Sequence, residues 1–146
     1  MNIGKFIKLI ATGACAGMLS LFAATAHAQE ELYKAFGGKE GIVKIVDDFV
    51  GFAAADPRVN FQFAKTNIPH LKAMLVEMLC AGTGGPCKYT GRDMKSAHAG
   101  MGITNAQFNA IAEHMYHAWE KNNVPYSLQN KVMAILAPMQ HDIVTK

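Results

Sequence analysis

The sequence predicts a small all-α domain carried behind an export leader. Three observations predict it. After residue 30, apolar residues recur at helical spacing through every long segment. No stretch alternates convincingly with period two, so no sheet is expected. Clusters of Gly and Pro punctuate the segments where helices have to stop.

Met1 to Ala28 has the make-up of a secretory signal peptide. Lys5 and Lys8 give a basic start, Leu9 to Ala24 carries no charge, and Ala26-His27-Ala28 supplies a small-x-small cleavage pattern. The uncharged run is short for a bilayer span. Cys15 does not read as a lipoprotein site, because Ala11-Thr12-Gly13 before it lacks the usual leucine. Residues 29–146 are then one exported, periplasmic domain with no membrane attachment after cleavage. Cleavage leaves 118 of the 146 residues, enough for one core. Without Lys5 and Lys8, 12 basic residues face 11 acidic ones and no basic run remains, which argues against nucleic acid as a partner. Cys80 and Cys87 remain as an even pair. In an exported chain that is a disulfide candidate, with two free thiols or half of a metal site as alternatives.

The helices follow in order. Ile42, Ile45, Val46, Phe49 and Phe52 share helical spacing up to Asp56-Pro57. Phe61 and Phe63 fall in a connector. Asn67 is placed to cap a helix with Pro69 in its first turn and Leu71, Leu75, Met78 and Leu79 on one side. Gly82, Gly84, Gly85 and Pro86 stop it. Thr90 and Asp93 resemble a capping box for a short helix bearing His98, which Gly100 and Gly102 end. Thr104 and Gln107 form a second box ahead of Phe108, Ile111, Met115 and Trp119. The last helix carries Val132, Ile135, Leu136, Met139 and Ile143, with Pro138 expected to kink it.

Met74, Met78, Met94, Met101, Met115, Met133 and Met139 lie among phenylalanines. They suit either a Met-rich core or a pocket for a large flat apolar ligand. His114 and His117, like His70 and His141, read as solvated, and no third ligand at a recognised spacing makes a zinc site. His98 differs. It shares a helix face with Met94 and has small neighbours, so it reads either as a core histidine or as a ligand.

Four segments taken in order, "LYKAFGG", "VDDFVGFAAADPRVN", "GGPCKYTGRDMKSAHAGMGIT" and "NVPYSLQNKVMAILAPM", resemble the group 1 truncated haemoglobins. These have a two-over-two helical globin fold. The resemblance implies non-covalent haem b with His98 as the proximal iron ligand. It puts Phe63 against the porphyrin, Met94, Phe108 and Ile111 along the haem, and Tyr89, Arg92 and Lys65 near the propionates. On the distal side this chain departs from the pattern. Val50 stands where many members have tyrosine and Leu75 where they have glutamine, and with Leu71 they make an apolar ceiling. The implied function is reversible binding of dioxygen, nitric oxide or carbon monoxide. The alternatives are a haem enzyme turning over nitric oxide or peroxide with an unidentified electron donor, or an electron-transfer protein with Met74 as sixth ligand.

Overall fold

The structure is a computed structural model that describes residues 30–146; the leader assigned to residues 1–28 lies outside them. The described residues are helical, with no strand among them. A first helical segment, α1, covers residues 30–35. It is followed by α2 (Gly38–Ala55), a 3-10 turn (Asn60–Phe63), α3 (Ile68–Gly82), the short α4 (Met94–His98), α5 (Asn105–Lys121) and α6 (Tyr126–Leu136). A second 3-10 turn, Ala137–Met139, leads into α7 (Gln140–Ile143). No described helix is long and apolar enough to cross a membrane.

Helix α2 organises the rest. It packs against both α3 and α5, and Ile42, Ile45, Val46, Phe49, Val50 and Ala53 are buried along it. Val76, Leu79 and Cys80 meet it from α3, and Met115, Ala118 and Trp119 from α5. Trp119 is fully buried, with the Phe36 ring edge-on at 6.2 Å. At the surface, Lys121 pairs with Asp48 at 2.6 Å and Lys72 with Asp47 at 2.9 Å, fastening α2 to each neighbour.

The expected helix starts hold. The Asn67 side chain accepts from the His70 amide at 3.1 Å. Thr104 and Gln107 close a reciprocal capping box. Pro138 does more than kink the last helix: it sits in the 3-10 turn that separates α6 from α7. Two expectations need correction. Thr90 does not cap α4. Its amide and hydroxyl both donate to Glu77 Oε2, at 2.9 and 2.8 Å, and Asp93 alone is the cap. His114 is not solvated. It lies midway between buried Ala110 and Ala118 on the inner stripe of α5, is 8% exposed, and its Nε2–H donates to Asp56 Oδ2 at 2.7 Å. His117, three positions on, faces solvent, as do His70 and His141.

Candidate functional site

The site is built from the segment that runs from the end of α3 to the start of α5. Gly85 passes so close to its neighbours that an added Cβ would lie 2.5 Å from the Tyr33 ring and 2.7 Å from Cys80 Sγ. Two residues after it, Cys87 is disulfide-bonded to Cys80. Three residues on, Thr90 is held by Glu77. The segment is thus tied to α3 covalently and by a carboxylate, and Thr90 in turn holds the Glu77 carboxyl below the usual carboxylate range. Asp93 then starts α4, accepting from the Ser96 amide at 2.9 Å and its hydroxyl at 2.7 Å. These bonds lower the Asp93 pKa. After one turn the chain must leave, and Gly100 (φ +77°) and Gly102 (φ +62°) supply the left-handed conformations that let it do so.

His98 sits at the end of that single turn, half-buried. Its Nδ1 lies 2.8 Å from the Met94 carbonyl oxygen. A carbonyl can only accept, so Nδ1 carries a proton, and in the neutral ring the lone pair is then on Nε2. The bond also fixes the ring's orientation, as hydrogen bonds behind metal-ligating histidines do.

His98 is in the wall of a deep cavity with about 1040 Å³ of unfilled space, its open mouth included. Leu71, Leu75 and Met78 of α3 form one wall, with Phe49 of α2. Gln62 and Phe63 of the first 3-10 turn close an edge. Met94, His98, Met101 and Ile103 lie along the His98 segment, and Phe108, Ile111, Ala112 and Met115 come from α5. Met133, Leu136, Met139 and Ile143 complete the wall from the C-terminal helices. Of the seven methionines singled out in the sequence, all but Met74 line this cavity, with Met115 also part of the core, so the surplus serves the pocket.

The structure therefore gathers Phe63, Leu71, Leu75, Met94, His98, Phe108 and Ile111 in one place. It does not put Val50, Met74, Tyr89, Arg92 or Lys65 in the wall. Val50 is packed in the core at 3% exposure, and Phe49 reaches the cavity beside it. Met74 is half-buried outside it. The Tyr89 hydroxyl donates to the Arg92 carbonyl at 2.7 Å, and burial raises the Tyr89 pKa. The Arg92 guanidinium reaches the Ser96 carbonyl at 3.3 Å, and Lys65 is exposed. Sequence reasoning missed the polar lining residues that stand beside His98 among the described residues: Gln62, whose amide approaches the Met101 carbonyl at 3.5 Å, and Gln107. Gln107 was legible only as a cap. Gln62, set between two phenylalanines, carried no signal.

The profile of the bacterial-like globin family matches residues 31–145. The chain is 34% identical to the group 1 truncated haemoglobin of Mycolicibacterium paratuberculosis over 114 residues, 78% of this chain and 84% of that one. The chain belongs to the group 1 truncated haemoglobins. Among solved structures it resembles the truncated haemoglobin of Tetrahymena pyriformis in its Fe(III) form, with a TM-score of 0.75 and 28% identity, covering 79% of this chain and 98% of that one. It also resembles a Synechococcus 2/2 haemoglobin solved with covalently attached haem, with a TM-score of 0.73 and 29% identity, at the same coverages. As a truncated haemoglobin, this chain falls in a family of haem-binding, gas-binding globins.

The residues present fit such a group. Among the described residues, no cluster of three or more His, Cys, Asp or Glu side chains could hold a bare metal ion. One imidazole in an apolar slot suits an iron that arrives with four ligands of its own.

Proposed function

We propose that this truncated haemoglobin holds haem b without a covalent link, through His98 Nε2, and reversibly binds dioxygen, nitric oxide or carbon monoxide on the opposite, apolar face. The reading rests on one observation above the others: His98, its Nδ1 spent on the Met94 carbonyl, is the one nitrogen base among the described residues of an otherwise almost wholly apolar cavity. When bound, haem supplies the iron that ligates the gas. In this reading the Met94 carbonyl orients the His98 imidazole, and Leu71 and Leu75, which line the α3 wall of the cavity, would leave the gas without a strong donor. Both cysteines of the domain are consumed by the disulfide, so neither offers a thiol for attachment. Export to the periplasm, read from residues 1–28, completes the proposal and is checked by cell fractionation. Met74 lies outside the cavity wall, which leaves the electron-transfer reading without support.

The test is an absorbance spectrum of the purified protein after haem addition, oxidised and reduced. A Soret band with a five-coordinate ferrous form is expected, and acidified organic solvent should extract the haem completely. His98→Ala should abolish stable haem retention. Retention at the wild-type level would overturn the assignment.

A further inference from the structure

A line of three aromatic rings runs from Trp119, one helical turn from the cavity-lining Met115, out to solvent. Met115 lines the cavity, and Trp119 follows it one helical turn along the same face of α5, fully buried. The Tyr116 ring meets Trp119 edge-on at a centroid distance of 5.3 Å. Tyr126, on the first turn of α6, stacks on Tyr116 at 6.4 Å with 26° between the planes. It is 67% exposed, the most exposed large apolar side chain described. Both ring-to-ring steps lie within the separation of directly packed rings. Core packing explains Trp119, but gives no reason for an exposed tyrosine stacked outside it.

We propose that this line is an electron relay, with Tyr126 as the surface site at which oxidising equivalents from hydrogen peroxide reduced in the cavity are delivered to phenolic donors. The proposal rests on haem occupying the cavity. The proton partners give the relay its direction. Trp119 Nε1–H is buried with no acceptor. An indole oxidised there keeps its proton and stays strongly oxidising, so it draws an electron from the next ring. The Tyr116 hydroxyl has only the Asn130 amide oxygen, at 3.4 Å, which is a poor base. Tyr126 is solvated and can release its phenolic proton to water, so the radical is neutral and comes to rest there. Two such phenols supply the two electrons and two protons that convert one hydrogen peroxide to two waters. In the absence of another donor, the two phenoxyl radicals, from two protein molecules, join through a new carbon–carbon bond as dityrosine.

The experiment treats haem-loaded protein with hydrogen peroxide and follows dityrosine fluorescence and reductant-resistant dimer, with the link mapped by peptide mass spectrometry. Wild type should cross-link through Tyr126. Tyr126→Phe and Tyr116→Phe should each lower the dimer at least ten-fold while the Soret band and the melting temperature stay as in wild type. Cross-linking at the wild-type level in either variant would overturn the relay. So would wild-type protein that carries haem and consumes peroxide without forming dityrosine, or haem-free protein that cross-links equally well. A missing Soret band after haem addition would instead remove the haem reading itself, and the relay with it.

Discussion

Opening the Cys80–Cys87 disulfide separates two effects of one bond. The half-cystines are seven residues apart. For a loop that short, the chain-entropy relation gives about 8 cal/mol/K, or about 2.4 kcal/mol at 25 °C, of stabilisation acting through the unfolded chain. At about 4 °C per kcal/mol for a domain of this length, the haem-free protein should melt about 10 °C lower when reduced by a phosphine or changed to Cys80→Ala/Cys87→Ala. That effect is blind to the pocket. The second is not: the bond ties α3, with Leu71, Leu75 and Met78, to the strap that positions His98. Haem transfer to an acceptor globin should therefore accelerate on reduction, under conditions where both forms remain folded. Calorimetry with and without reductant reads the first effect, and stopped-flow haem transfer the second. Equal haem-transfer rates would refute the claim that the bond restrains pocket opening, whatever the melting curves show. Equal melting temperatures would refute the loop-entropy argument.

Other predictions follow from single groups. Leu75→Gln places a donor in the α3 wall of the cavity; if the gas binds as proposed, a hydrogen bond worth about 1 kcal/mol should slow dioxygen dissociation about five-fold, measured by flow-flash kinetics, with a smaller effect on carbon monoxide. Thr104→Ala removes half of a capping box ahead of α5 and should cost about 1 kcal/mol in urea unfolding. Asp56, held by the Arg58 side chain and amide and by His114, has its pKa lowered on folding. Its contribution is present above the unfolded carboxyl value near 4 and is lost as pH falls through the folded one. The urea midpoint should accordingly drop in acid, and Asp56→Asn should flatten that part of the profile. An unchanged slope in the variant would assign the acid sensitivity to other carboxylates.

The fold was legible where one physical signal acted alone. Helical spacing marked α2, α3, α5 and α6, and Asn67 and Thr104 announced helix starts that local bonding then provides. Reading failed where a side chain chose between a local and a distant partner. Thr90 stands three residues before Asp93 and imitates a cap, but Glu77, thirteen positions away, offers a stronger acceptor. His114 looked exposed beside glutamate and tyrosine, although its spacing from Ala110 and Ala118 placed it inward. At the site, His98 was ambiguous by spacing and was singled out by the order of four segments. Val50 and Phe49 show the remaining limit. Both are buried on α2, and which of two adjacent residues reaches a cavity depends on packing that no one-dimensional pattern carries.

The acceptor behind His98 also sets the electronic character of the site. A carboxylate in that place would pull the Nδ1 proton toward itself and make the ring an imidazolate-like, electron-rich donor that favours ferric iron. The Met94 carbonyl is neutral and already belongs to the helix turn that carries His98. The ring therefore stays a plain imidazole. An iron held by it would be easier to keep ferrous, the oxidation state in which a globin takes up dioxygen and carbon monoxide, and in α4 five residues are enough to arrange this.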